Sequence, residues 1–137
     1  MMKPENSAET KPTGNLLLRV VPMPADANPN GDIFGGWVMS QMDVAGGILA
    51  RKRARSRIVT VSVETINFIR PIHVGDIVCC YGEIVRVGKT SMTIHLEVYV
   101  SPALPPPSGE DESSLVASSA FTFVAIDEAG RPHPVDR

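Results

Sequence analysis

The chain has 137 residues, 43% of them hydrophobic and 20% charged, with a formal net charge of −2. That is the size of one globular domain able to bury a core. The charge gives no general attraction to nucleic acid or to an anionic membrane surface, and the longest apolar run falls far short of a bilayer span, so neither is expected as a partner.

Residues 1–14 (MMKPENSAETKPTG) are polar and hold two prolines, with none of the apolar core a secretory signal requires. They are expected to be a disordered lead-in to a cytoplasmic protein whose single domain spans residues 15–127. A short strand over residues 15–21 (NLLLRVV) leads into a loop, residues 22–34 (PMPADANPNGDIF), crowded with Pro, Asn, Asp and Gly.

A helix then opens on Gly35-Gly36 and runs through WVMSQMDVAGGILA. Residues three and four apart share a helix face, so Gly36, Ser40, Asp43, Gly47 and Ala50 form one stripe of small or polar residues. Asp43 is its only ionisable group and is expected to be buried, which demands partners because an unpaired buried carboxylate costs several kcal/mol. The stripe reads as the floor of a site; the plainer alternative is close helix packing at Gly46 and Gly47 around a hydrogen-bonded structural aspartate. Arg51, Lys52, Arg53, Arg55 and Arg57 at the far end suit the negative end of the helix dipole.

Beyond the helix the period changes to two. Val59, Val61 and Val63 alternate with Thr60, Ser62 and Glu64, the pattern of a half-buried strand with the valines on one face. Residues 76–87 form the next strand. Within it Cys79 and Cys80 are neighbours, so their side chains point to opposite faces; neither a mutual disulfide nor a metal site is expected, and reduced structural thiols are.

Residues 90–100 alternate cleanly, with Met92, Ile94, Leu96, Val98 and Val100 on one face and Thr93, His95, Glu97 and Tyr99 on the other. The run SPALPPPSGEDES cannot join a sheet, so residues 102–113 are expected to be a flexible proline-rich loop before a last strand over residues 114–126. A tail, residues 128–137, with Gly130, Pro132 and Pro134, is expected to lie outside the fold.

The order is β-α-β-β-β-β, an α+β arrangement in which one long helix is wrapped by an antiparallel sheet of about five strands. Such a sheet leaves an edge and one helix side uncovered, and pairing two protomers covers both, so an obligate homodimer is the smallest expected unit.

The chemistry concentrates ahead of the helix. Asp26-Ala27-Asn28-Pro29-Asn30-Gly31-Asp32 precedes a helix start whose Gly35 and Gly36 N–H groups, unobstructed by side chains, can donate to an oxyanion. An oxyanion donor, a carboxylate two turns on and an amide-bearing loop are the parts needed to attack an acyl carbonyl with water.

The pattern D-x-N-x-x-G-x-x-x-G-G followed by an in-helix aspartate, within LLLRVVPMPADANPNGDIFGGWVMSQMDVAGGILA and VTVSVETINFIRPIHVGD, resembles the hot-dog-fold acyl-CoA thioesterases, most closely the bacterial YciA type. The resemblance implies a long helix wrapped by an antiparallel sheet, hydrolysis of acyl-CoA to free CoA and a carboxylic acid without metal or other cofactor, and dimers further assembled as a hexamer, a trimer of dimers. It implies that Asp43 is general base or nucleophile, and that Asn28 comes from the opposite protomer to place water or polarise the thioester. Gly35 and Gly36 match the donors to the thioester oxygen, with the choice between them open.

By the same resemblance the turn Gly88-Lys89-Thr90-Ser91 holds coenzyme A. Backbone N–H groups, a cation and two hydroxyls suit phosphate oxygens, although a plain hairpin turn has the same residues. Phe68 and Arg70 match a segment along the pantetheine and nucleotide path. His73, His95 and His133 fall in a turn, on a polar strand face and in the tail, positions that do not suggest catalysis.

Two rivals remain on this fold. A hot-dog enoyl-CoA hydratase is echoed by Asp26-x-Asn28-Pro29, but Gly31 stands where the D-x-N-P-x-H pattern needs its histidine. A non-catalytic acyl-CoA sensor would bind the same ligand and release no CoA.

Overall fold

A two-residue period in Met92, Ile94, Leu96 and Val98 puts all four on the face that meets the helix, where each is fully buried. The computed structural model describes residues 11–104, 107–108 and 112–137. Most of the expected disordered lead-in and part of the expected flexible proline loop therefore lie outside the described residues.

The elements are β1 (Asn15–Val20), a 3-10 turn (Pro24–Asp26), α1 (Gly35–Ala54), β2 (Arg57–Val63), β3 (Asn67–Phe68), β4 (Ile77–Val87), β5 (Ser91–Ser101) and β6 (Ser114–Ile126). The sequence order holds, with the two-residue β3 added, so the sheet has six strands rather than about five. Every pairing is antiparallel and the order is β1-β4-β5-β6-β2, with β3 also on β6.

The core lies between this sheet and α1. Val38, Met42, Ala45, Ala50 and Ala54 pack on Val78 and Cys80 of β4, the β5 row, and Phe121 and Phe123 of β6. Both cysteines are free and buried. Burial, with a smaller push from neighbouring Cys79, raises the Cys80 thiol to about 12, where it stays protonated.

Gly46 sets how closely the helix approaches. A β-carbon there would stand 2.7 and 2.8 Å from ring atoms of Phe123 and 3.2 Å from Leu96, both fully buried. Gly46→Ala is expected to lower stability by up to about 2 kcal/mol, because over-packing costs about 1–3 kcal/mol against a helix-propensity gain of about 1 kcal/mol. A β-carbon at Gly47 meets nothing nearer than 3.6 Å, so Gly47→Ala is expected to be neutral or stabilising. Urea melts of the two variants check the contrast.

Three expectations need correction. The residues from Asp127 onward do not leave the fold. Gly130, at φ 83°, reverses the chain while the Asp127 carboxylate accepts the N–H groups of Ala129 and Arg131 at 2.9 Å. Val135 is thereby returned to the core at 4% exposure, its N–H donating to the Lys89 carbonyl at 2.8 Å. The Gly and Pro residues read as an ending are a turn. Arg53 at the end of α1 donates to Asp136 at 2.8 Å and holds that carboxyl below its ordinary value.

Secondly, β2 is not half-buried; it is the outermost long strand on its side of the sheet, and Val59, Val61 and Val63 are 41%, 54% and 41% exposed. Nor do the valines share one face. Thr60 pairs with Phe123 but Ser62 pairs with Thr122, so Val61 is the extra residue of a β-bulge. The bulge shifts the pleat by one residue: Thr60 and Val63, opposite Phe123 and Phe121, both face the helix.

Thirdly, Asp43 is exposed in the single chain. The helix rests on the sheet through Met42, Ala45 and Gly46, which turns Asp43, together with Met39 and Val44, to the flank beside the edge strand β2. Of the small-residue stripe, Gly47 and Ala50 are buried while Gly36, Ser40 and Asp43 are exposed.

Candidate active site

Two side chains brace the loop before α1: Asp26 Oδ2 accepts the Met23 N–H at 2.9 Å, and Asn28 closes the turn nearer the helix. Asn28 Oδ1 accepts the N–H groups of Asn30 at 2.9 Å and Asp32 at 3.1 Å, while Gly31, at φ 88°, makes the reversal that a side chain would resist. Two backbone donors therefore fix the oxygen end of Asn28 and leave its NH2 group as the end available to another partner. Backbone bonds from Phe34 to the Asp26 carbonyl and from Ile33 to the Ile72 carbonyl lock the loop to the helix entrance.

Behind that entrance is a cavity of about 440 Å³ lined by Asn28, Asp32, Ile33, Gly35, Val38, Phe68, Arg70 and Ile72, among others. Asn28, Gly35, Phe68 and Arg70, singled out on different segments of the sequence, thus meet at one place. The phenyl ring of Phe68 lies over Gly35, 3.4 Å from where a β-carbon would be. Nothing stands within 4 Å of the corresponding point on Gly36. The first-turn N–H groups of both glycines are those an α-helix leaves without an intrahelical acceptor.

Asp43 is not part of this cavity. It sits eight residues further along the helix, about 12 Å by helix rise, between two other clefts. One, about 340 Å³, is lined by Val44, Gly47, Arg51, Ile58, Thr60 and Phe123. The other, about 270 Å³, is lined by Met39, Ser40, Thr60, Val63 and Phe121. Thr60 borders both and donates its hydroxyl to Asp43 Oδ1 at 2.6 Å. Arg51 folds back over Gly47, placing a cation on the same helix flank.

A single chain therefore carries two partial constellations. One has the amide and the oxyanion donors, the other the carboxylate. Between and around them lie exposed apolar side chains: Phe34 at 47%, Met39 at 40%, Val44 at 52%, Phe68 at 49% and Ile69 at 54%. Surface of this kind, contiguous with an edge strand, marks an interaction face.

Gly88, Lys89, Thr90 and Ser91 join β4 to β5 and border none of these clefts. The sequence reading credited the turn with free N–H donors; that needs correction at Gly88, whose N–H is spent on the Ser91 carbonyl at 2.8 Å in closing the turn. The Lys89 carbonyl accepts from Val135 and that of Thr90 from Ala125, so the turn is fixed against β6 and the C-terminal segment. The Lys89 ammonium and the Thr90 and Ser91 hydroxyls are side-chain groups it can offer an anion.

No histidine lines these clefts, although His73 lies next to Asp32 of the Asn28 cavity. His73 stands beside Asp32 and Asp76 at 3.5 and 3.7 Å, and His95 contacts Glu97 at 3.0 Å.

Thr60 and Val63 are the site residues that sequence reasoning missed. The available signal was a threonine one strand beyond an in-helix carboxylate. The bulge that aims both residues inward depends on the register with β6, which alternation along one strand does not reveal.

Comparison with known proteins shows the family. Residues 30–103 match the family model described as the thioesterase superfamily. An uncharacterized acyl-CoA thioester hydrolase of Haemophilus influenzae is 51% identical over 133 residues, 97% of this chain and 84% of the relative. The acyl-CoA thioester hydrolase YciA of Salmonella typhimurium is 49% identical over 127 residues, 93% of this chain and 94% of the relative. Among solved structures, a hexameric broad specificity acyl-coenzyme A thioesterase superposes with a TM-score of 0.86 at 52% identity, covering 93% of this chain and 85% of that one.

Proposed function

The chain belongs to the thioesterase superfamily and is an acyl-CoA thioester hydrolase of the hot-dog fold; from that premise we propose that each catalytic site is shared by two protomers. The observation that carries this reading is the separation, on one chain, of the Asn28 cavity from the Asp43 clefts. A two-fold partner laid on the exposed apolar face brings Asn28 and the Gly35-Gly36 helix start of one protomer to Asp43 of the other.

In that site Asp43 is the general base. Water attacks the thioester carbon and its proton passes to the Asp43 carboxylate. The carbonyl oxygen, now negative, is met by the N–H groups of Gly35 and Gly36 and the Asn28 NH2 group orients water or thioester. Collapse breaks the C–S bond, the proton held by Asp43 passes to the departing CoA sulfur and restores the carboxylate, and the carboxylic acid leaves as co-product. No metal or redox group enters this balance.

Lys89, Thr90 and Ser91 hold CoA phosphates through a cation and two hydroxyls, and Phe68 and Arg70 line the approach. The working assembly is a trimer of such dimers, a reading supported by the hexameric relative. A cytoplasmic location is part of the same proposal; among the described residues no helix is long and apolar enough to cross a membrane.

Incubation with acyl-CoAs from acetyl to palmitoyl in the presence of a thiol reagent tests the reading. Stoichiometric CoA release with multiple turnover is expected. Saturable binding with no thiol release would place the protein among sensors instead.

A further inference from the structure

We propose that Arg51 favours acyl chains ending in a carboxylate, so that short dicarboxylic acyl-CoAs are substrates of this enzyme. The proposal rests on the reading of Asp43 as the base and adds a substrate class to it. Arg51 Nη1 lies 3.7 Å from where a β-carbon of Gly47 would stand. Gly47 is one turn beyond Asp43, about 6 Å by helix rise, so the guanidinium hangs over the flank on which the base stands. Long helical side chains lean toward the helix N-terminus, which carries this cation away from the last carbonyls of α1 and toward Asp43.

The charge is unspent. Among the described residues the Arg51 guanidinium makes no hydrogen bond or ion pair, whereas Arg53, two residues on, is paired with Asp136. Arg51 borders the cleft of about 340 Å³ with Asp43, and these two are the charged residues of its lining. Thr60 apart, the other walls are Val44, Gly47, Ile58 and Phe123, which offer a guanidinium no side-chain acceptor.

An apolar acyl chain laid in this cleft strips water from the guanidinium and returns nothing. A chain ending in a carboxylate returns a bidentate partner. The reach fits: an extended glutaryl group puts its far carboxyl four carbon–carbon bonds, about 5 Å, from the thioester carbon, close to the one-turn spacing of Asp43 and Gly47. The phosphates of CoA do not compete for this cation, because the whole pantetheine arm stands between them and the sulfur. The cleft on the other side of Asp43, with Met39, Val63 and Phe121, holds no cation and suits plain alkyl chains.

The test is the ratio of kcat/KM for glutaryl-CoA to that for pentanoyl-CoA, a chain with the same number of carbons and no charge. It is measured in the wild-type oligomer, in Arg51→Met and in Arg51→Lys. The wild type is expected to hydrolyse both substrates. Arg51→Met, which keeps an apolar stem, is expected to lower the ratio about tenfold, the loss of a hydrogen-bonded contact between charged groups. Arg51→Lys is expected to fall between the two, with a point charge in place of a planar fork.

A wild type that does not hydrolyse glutaryl-CoA overturns the proposal. So does a lysine variant no better than methionine, which would remove charge as the cause. An equal fall for both substrates in Arg51→Met leaves the ratio unchanged and also overturns it, placing Arg51 on the CoA moiety common to the two or in a subunit contact. If Asp43→Asn hydrolyses pentanoyl-CoA at the wild-type rate, the base assignment falls and the acyl placement with it. If Asp43→Asn is inactive and the ratio in Arg51→Met is that of the wild type, only the Arg51 role falls.

Discussion

Asp43→Asn is expected to reduce acyl-CoA hydrolysis by two or more orders of magnitude while leaving the fold intact. The amide matches the carboxylate in size and can still accept the Thr60 hydroxyl bond, so helix packing and the two flanking clefts are preserved. What it lacks is the basicity to take a proton from water as the C–O bond forms. General-base catalysis contributes about 10²–10⁴ in rate, and no other group bordering those clefts offers a substitute base. Steady-state thiol release, with far-ultraviolet circular dichroism to confirm folding, checks the expectation. Turnover at the wild-type rate would remove Asp43 from the mechanism.

Much of the fold was legible because it depends on local pattern. The alternation of Met92, Ile94, Leu96 and Val98 located the core face of β5, the strand over Ser114–Ile126 was bounded as read, and the paired glycines marked the start of α1. What was not legible depends on partners distant in sequence. The return of Val135 to the core needs the turn at Gly130 and a hydrogen bond to Lys89, 46 positions away. Gly, Pro and Asp look the same in a tail as in a turn.

The candidate site divides the same way. Asn28, Gly35, Phe68 and Arg70 could be singled out by residue type and motif, and the fold gathers them around one cavity. The burial of Asp43 was misjudged because helix periodicity shows which residues share a face but not which face meets the sheet. Thr60 escaped notice because a bulge, set by pairing with β6, decides where it points. The spacing of the Asn28 and Asp43 halves was legible from helix rise, but that they border separate clefts on one chain needed the fold.

Complementation between two inactive proteins tests that shared site most directly. Asn28→Ala removes the loop amide and Asp43→Ala the carboxylate, so each homo-oligomer is expected to be nearly inactive, with both of its sites carrying the same defect. When the two are mixed in equal amounts and subunits exchange, half of the dimers become heterodimers. Each heterodimer holds one site with both defects and one with neither, so roughly a quarter of wild-type sites return, by counting under two-fold symmetry. Exchange is followed independently by native mass spectrometry of differently tagged chains. Recovery of about a quarter of wild-type CoA release is the predicted result; demonstrated exchange with no recovery would show that Asn28 and Asp43 do not meet across protomers.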